Sequence, residues 1–337
     1  TLRGADVVAG DDPVGDRRVG FTAPGLGKVC AVRRAAVIVN PTKFSALGPL
    51  KDSLEDIFRA WGWAGPRWAQ TTMEDPGTGQ ARAAVAAGVD LVCALGGDGT
   101  QRCVAQGLLG SGVPLGILAA GTGNLLARNL KIPHDRYADG LRMALGGRDR
   151  AIDVCHVELD KAGDGVWAPP QVGLVMTGIG LDAEILASAN DDLKARVGWL
   201  AYPAAGLGHV VHDQMQAQII LDDGAPEPIT GMSSVMIGNC GLLTGGMRLM
   251  PDADLDDGIL DTVILRPAGI IGWLPMIAQV VAGARRETRT IGRLRSQIIE
   301  VRCEQPAMIE IDGDVLHRAY ATRVTVDPLA LTVRVPR

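Results

Sequence analysis

No stretch of this chain reads G-x-x-x-x-G-K-[ST], and none of the protein-kinase signatures occurs, so neither a P-loop enzyme nor a protein kinase is expected. Basic residues do not dominate. The formal net charge is −5 and the pI is near 5.6, which argues against a nucleic-acid partner, since such proteins show a basic face. The six cysteines, at 30, 93, 103, 155, 240 and 303, form no C-x-x-C pair, and several sit in apolar runs. They read as reduced core residues of a cytoplasmic protein. Of the five histidines only His209 and His212 are close, and without a third ligand they read as structural or surface residues. The N-terminal stretch lacks a basic patch followed by an apolar core, so no signal peptide is expected in it; Thr1 in place of methionine leaves an upstream domain open. The longest uncharged run, 267–284, reaches transmembrane length but contains Pro275, internal glycines and Gln279, so a buried or membrane-facing helix is expected instead.

What the chain does have is glycine at chosen places. Gly96-Gly97-Asp98-Gly99-Thr100 and Gly121-Thr122-Gly123-Asn124 each follow a short apolar run and precede a helical pattern. Either turn alone could be a tight strand-to-helix corner that binds nothing. Two of them, about twenty-five residues apart and both placed by parallel strands on one sheet edge, point to a phosphate cradle. Glycine lets the backbone approach a bound group, and the unpaired N–H groups opening each helix favour an anion. Asp98 would repel a phosphate, which a divalent cation reconciles. A nucleotide with Mg²⁺ is the natural reading.

At 337 residues the chain has room for two domains, and an apolar share of 47% suffices for their cores. Residues 1–34, rich in Gly and Asp without periodicity, read as a flexible lead-in. From Ala35 a strand (Ala35 to Val39), the turn Asn40-Pro41 and an amphipathic helix (Leu50 to Trp61) begin a βα pattern that continues to about Arg150. This predicts a parallel sheet covered on both faces. Thereafter short strand-like runs dominate: Val172 to Met176, Ala217 to Leu221, Ser234 to Ile237, Ile259 to Leu265, Ile298 to Arg302 and Ala307 to Ile311, with helical insertions at Asp182 to Ser188 and 267–284. A second, mostly antiparallel β domain over 151–324 is expected, and a tail strand within 325–337 that could return to either domain.

Three further motifs are weaker. Gly178-Ile179-Gly180-Leu181-Asp182-Ala183 fits G-x-G-x-x-A, but no acidic residue follows about twenty positions on, which disfavours a dehydrogenase. Asp252, Asp254, Asp256, Asp257 and Asp261 crowd five carboxylates into ten residues, consistent with either a metal site or a solvated acidic turn; the glycine spacing rejects an EF-hand. Asp312-Gly313-Asp314 reads as a hairpin turn, which can still present a carboxylate to a bound hydroxyl.

Taken in order, Asn40-Pro41, Thr71-Thr72 with Pro76-Gly77, Gly96 to Thr100, Gly121 to Asn124, Gly178 to Ala183, Gly245-Gly246, Asp257-Gly258-x-Leu260-Asp261 and Asp312-Gly313-Asp314 resemble the diacylglycerol kinase catalytic-domain family, which includes bacterial lipid kinases and sphingosine kinases. The resemblance implies a Rossmann-like nucleotide-binding α/β domain followed by an antiparallel β-sandwich domain, with the active site in the cleft between them. It implies ATP phosphates held by Gly96, Gly97, Asp98, Gly99 and Thr100 with Asn40, Thr72 and Gly121, Thr122, Gly123 and Asn124. It further implies Mg²⁺ held by Asp254, Asp257 and the backbone of Ile259, and a general base at Asp314, with Asp312 and Asp98 as the other catalytic carboxylates. Four positions depart from the family: Asp314 replaces a glutamate, Arg102 an asparagine and thereby a candidate phosphate contact, Ala119 a proline, and Leu125 an aspartate. The expected activity is ATP- and Mg²⁺-dependent phosphorylation of a lipid hydroxyl such as that of diacylglycerol. Peripheral contact with the inner membrane surface is expected, through 267–284 and Val197 to Val211 with Trp199 and Tyr202, and a homodimer is left open. The rivals are an NAD kinase and a non-catalytic lipid-binding module of the same fold.

Overall fold

The structure, a computed structural model, describes residues 32–134, 136–180, 215–267, 276 and 278–337. It opens as alternating strand and helix: β1 (Ala35–Val39), α1 (Leu47–Ala60), β2 (Arg67–Gln70), α2 (Thr78–Ala86), β3 (Leu91–Gly96), α3 (Asp98–Leu108), β4 (Leu115–Ala119), α4 (Leu125–Asn129) and α5 (Tyr137–Gly146). The four strands lie in the order β4-β3-β1-β2 and are all parallel. β1, β3 and β4 are buried along their whole lengths, which is why they read as unbroken apolar runs. One face, with Val37, Val39, Cys93 and Leu95, packs on α1 and α5; the other, with Ile38, Val92, Ala94 and Ile117, packs on α2 and α3. α1 buries Leu50, Leu54, Ile57 and Phe58, a single stripe at helical spacing. It starts three residues before the expected Leu50, because Pro49 falls in the first turn, where a missing N–H costs the helix nothing.

After α5 the chain is built from strands: β5 (Arg148–Asp160), β6 (Gln171–Gly173), β7 (Met176–Ile179), β8 (Met215–Leu221), β9 (Glu227–Met232), β10 (Ser234–Gly238), β11 (Leu260–Leu265), β12 (Ile291–Ser296), β13 (Ile298–Ile311) and β14 (Asp314–Val335). Their alternate residues close a second core around Val157, Ile219, Val235, Ile299, Val301 and Ile309. The strand expected from Val172 to Met176 is two strands, broken where the Leu174 and Val175 N–H groups turn to the Asp312 carboxylate. The strands expected at Ile298 to Arg302 and Ala307 to Ile311 are the two ends of β13, whose register shifts between Arg302 and Ala307. Pro306, which has no N–H to give a ladder, lies in that shift. The expected C-terminal strand is the end of β14, which pairs along most of its length with β5, over its first half with β13, and through Val333 with Leu115 of β4.

The expected helix Asp182 to Ser188, the run Val197 to Val211, the pair His209 and His212, the 181–183 part of the glycine motif, and Cys30 lie outside the described residues. In the 267–284 run Met276 and Val280 belong to the main core while Val281 is exposed. Among the described residues no helix is long and apolar enough to cross a membrane. Cys93, Cys103, Cys155, Cys240 and Cys303 are free thiols, and burial pushes that of Cys93 up to about 12.

One buried carboxylate ties the acidic turn to this frame. Asp153 of β5 is fully buried and accepts hydrogen bonds from Gly258 N at 2.7 Å and Leu329 N at 2.8 Å. Asp153→Ala strips both N–H groups of their acceptor, and should cost about 3 kcal/mol of stability in denaturant unfolding at neutral pH. A loss under about 0.5 kcal/mol would show that the turn is held by its arginines instead.

Candidate active site

The glycine turns meet backbone to backbone. Gly97 precedes α3 and Gly121 follows β4, and a Cβ on Gly121 would lie 2.7 Å from Gly97 Cα, so no larger residue fits at 121 without parting the loops. Asn124 takes the left-handed conformation (φ 49°) and closes its own loop, accepting from Gly121 N at 3.0 Å and donating to Gly121 O at 2.8 Å. Asp98 joins the two turns: its carboxylate accepts from Leu125 N, at the start of α4, at 2.8 Å. Asn40, at the end of β1, donates weakly to Thr100 Oγ1 at 3.4 Å and accepts from Thr42 N and Oγ1. Thr72, after β2, is exposed and forms a closed turn with Asp75. The C-terminal ends of β1, β2, β3 and β4 thus carry all eleven expected nucleotide-binding residues, with Thr122 at the exposed tip of its loop.

The β13–β14 hairpin comes to the same place from the other lobe. Asp312 and Gly313 form its two-residue turn, both at positive φ (52° and 85°), with Ile311 and Asp314 paired across it. The two aspartates part company there. The buried Asp312 carboxylate accepts from Leu174 N (2.9 Å), Val175 N (2.8 Å) and Met176 N (3.1 Å), and so is committed to holding the break between β6 and β7. The Asp314 carboxylate is half exposed and reaches the first glycine turn: a Cβ on Gly99 would lie 2.8 Å from its Oδ2. Arg102, one turn into α3, bonds the same Oδ2 through Nη2 at 2.6 Å and faces Asp312 Oδ2 from Nε at 3.8 Å.

A third hairpin carboxylate was not singled out from the sequence. Ile309 and Ile311 enter the β-lobe core, so Glu310 lies on the opposite face of β13, beside Gly178 of β7. A Cβ on Gly178 would sit 2.5 Å from Glu310 Oε1; glycine is what leaves room for the side chain. Burial, then Asp312 and Asp314, push the Glu310 carboxyl up to about 7. Burial, then Asp312, push Asp98 up to about 6. The available signal was strand alternation, which puts Glu310 on the same face as Asp312.

The acidic turn is neutralised differently from the expectation of a metal site. Asp254 bonds Arg150 (3.1 Å) and Leu255 N (2.7 Å), Asp256 bonds Arg150 (2.8 Å), and Asp257 bonds Arg295 (2.6 Å) and Ile259 N (3.1 Å). These hard oxygens suit Mg²⁺ in kind, but guanidinium groups already compensate their charge, so as arranged Asp254, Asp257 and Ile259 do not fit a bare cation. In the cleft carboxylates predominate: Asp312 raises the carboxyls of Asp98 and Glu310, and Arg102 pairs with Asp314 and faces Asp312. Among the described residues no three His, Cys, Asp or Glu side chains converge to hold a metal ion unaided. A divalent ion here would share its ligands with phosphate oxygens.

Two glycine turns on a parallel sheet edge, faced by a carboxylate hairpin from a β lobe, define a phosphotransferase-type site. Residues 34–157 match the family model of the diacylglycerol kinase catalytic domain, and residues 173–335 that of the YegS C-terminal NAD kinase beta sandwich-like domain. A protein named "probable lipid kinase YegS-like" from Pseudomonas putida is 31% identical over 318 residues, covering 92% of this chain and 95% of that protein. A diacylglycerol kinase from Mycobacterium tuberculosis is 29% identical over 256 residues, covering 76% and 80%. The crystal structure of a diacylglycerol kinase from Bacillus anthracis str. Sterne shares the fold at 20% identity, with a TM-score of 0.66 over 90% of this chain and 97% of that one. The chain belongs to the diacylglycerol kinase catalytic-domain family, and its class is that of the lipid kinases.

The raised carboxyls give a pH signature. The folded chain binds protons at Glu310 (about 7), Asp98 and Asp261 (each about 6) more tightly than the unfolded chain does. The cost of their charge is therefore fully present above pH ~7 and is relieved as pH falls through these values. Glu310→Gln should raise the melting temperature at pH 8 by at least about 2 °C and shrink the gain seen on going from pH 8 to pH 5. A variant that melts lower at pH 8 would mean that the ionised Glu310 is paired rather than repelled.

Proposed function

We propose that this protein transfers the γ-phosphate of ATP to the hydroxyl of a lipid, diacylglycerol being the favoured acceptor, and does so at a membrane surface without spanning it. The observation that carries the reading is the contact between Asp314 and Gly99: an exposed carboxylate from the β lobe rests on the glycine turn best suited to phosphate. Backbone N–H groups opening α3 favour an anion, while those opening α4 are engaged by the Asp98 carboxylate, and glycine at 97, 99 and 121 keeps the loop backbones free of side chains beside the place where phosphate would sit. Asn40 and Thr72 flank the same edge and are assigned to the nucleotide. Mg²⁺ bound with the nucleotide would offset phosphate charge against the cleft carboxylates.

In the reaction the lipid hydroxyl oxygen attacks the γ-phosphorus, the bond to the β–γ bridging oxygen breaks, ADP leaves with that electron pair, and Asp314 accepts the hydroxyl proton. Positioning and electrostatics supply most of the acceleration. Asp312, held by three backbone donors, has the structural part: it fixes the turn that aims Asp314. Asp98 both ties the two phosphate loops together and contributes charge to them.

The test is incubation with γ-phosphate-labelled ATP, a panel of lipid hydroxyls in vesicles, and NAD, followed by extraction of whatever becomes labelled. Diacylglycerol is the expected product carrier; faster labelling of NAD, or no acceptor at all, would overturn the reading. Asp314→Asn should lower kcat by about 10² to 10⁴-fold. Asp98→Asn keeps an acceptor for Leu125 N while removing the charge, so it should fold normally and still lose at least ~10²-fold in turnover, about 3 kcal/mol in barrier. Near-normal activity in a folded Asp98→Asn would confine Asp98 to its structural part.

A further inference from the structure

Arg102 is set where two anions would compete for it. Its side chain is only 12% exposed, whereas that of Asp314, its partner at 2.6 Å, is 53% exposed. Its Nε is buried and makes no hydrogen bond, with Asp312 Oδ2 too far away at 3.8 Å. The Asp312 oxygens are meanwhile taken by three backbone donors, so Asp312 cannot swing round to satisfy it. Arg102 also belongs to the helix that the first glycine turn opens, and Asp314 Oδ2 sits against Gly99 of that turn. A phosphate drawn to the turn would arrive beside Asp314, with charge of the same sign, and beside a guanidinium with a donor to spare.

The asymmetry in exposure decides which partner yields. A buried guanidinium needs an anion at all times, while a half-exposed carboxylate that loses its arginine is taken up by water at little cost. Resting on the kinase reading above, we propose that Arg102 is a phosphate-operated latch on Asp314: its guanidinium passes from the Asp314 carboxylate to the terminal phosphate of bound ATP, which frees Asp314 to accept the hydroxyl proton. Base release is then coupled to nucleotide binding. By linkage, Asp314 opposes ATP binding to the same extent that ATP releases Asp314.

That reciprocity gives a test in which no turnover is measured. ATP and ADP affinities are measured by calorimetry, without lipid, on the wild type, Asp314→Asn, Arg102→Gln and the double variant, each checked by circular dichroism and melting. Asp314→Asn should bind ATP at least about 5-fold more tightly than the wild type, with a smaller change for ADP, because the competitor for Arg102 is gone. Arg102→Gln should weaken ATP about 10-fold or more. In the Arg102→Gln background the gain from Asp314→Asn should fall below about 2-fold. If that gain persists without Arg102, simple repulsion accounts for it and the latch is overturned; unchanged ATP affinity in Asp314→Asn overturns it as well. Should Arg102→Gln fail to fold, Arg102→Lys replaces it in the cycle: it keeps the charge but not the fork, so the gain from Asp314→Asn should shrink there too, and full retention of the gain counts against the latch. A wild type that binds no ATP removes the kinase reading along with the latch, whereas ATP binding with an uncoupled cycle removes the latch alone.

Discussion

The hydrogen-bonded path through β14 is the constraint on which the rest depends. This 22-residue strand pairs with β5 and β13 in the β lobe and, through Val333 and Leu115, with β4 of the parallel sheet. Backbone ladders leave little freedom of register, because a shift of one residue would turn every core side chain outward. The strand's first residue, Asp314, and its last turns, beside the glycine loops' own sheet, therefore stand in a fixed relation. The contact of Arg102 with Asp314, between segments more than two hundred residues apart in sequence, is held in place by that one continuous sheet.

Around that frame the chain places charge in two different ways. In the 252–261 turn Asp252, Asp254, Asp256 and Asp257 are matched by Arg285, Arg150 and Arg295, an arrangement that contributes little to stability, while burial and then Asp257 and Asp252 push the Asp261 carboxyl up against the pull of Arg295. In the cleft carboxylates predominate, and the carboxyls of Asp98 (about 6) and Glu310 (about 7) are pushed up first by burial and then by the charge of Asp312, joined at Glu310 by Asp314. A surplus of this kind destabilises the fold, and it lies where phosphate and a cation would be handled. Asp312 is part of that surplus, but its own carboxylate is compensated by three backbone donors and by Arg102.

Much of this was legible in order along the chain. Of the parallel strands, β1, β3 and β4 announced themselves as short apolar runs followed by Asn-Pro or glycine, because strands covered on both faces need no polar alternation, whereas the edge strand β2 carries no such run. The two glycine turns were readable for the same local reason: only glycine permits the approach of Gly97 to Gly121. Boundaries in the β lobe were less legible. Val172 to Met176 looks continuous, and its break is made by Asp312, well over a hundred residues away. Ile298 to Ile311 looks interrupted at Pro306, and the strand passes through by shifting register.

By itself the sequence determined the family, the α/β lobe with its glycine turns at one sheet edge, and the presence of an Asp-Gly-Asp hairpin, since all of these rest on local periodicity, backbone freedom and ordered motifs. Which aspartate faces the cleft, what Arg102 touches, where Glu310 points, and whether the acidic turn is matched by cations of its own were decided only in three dimensions. The reason is physical. A charged side chain takes its state from whatever is brought within a few ångströms of it, and for these residues the neighbours come from distant strands.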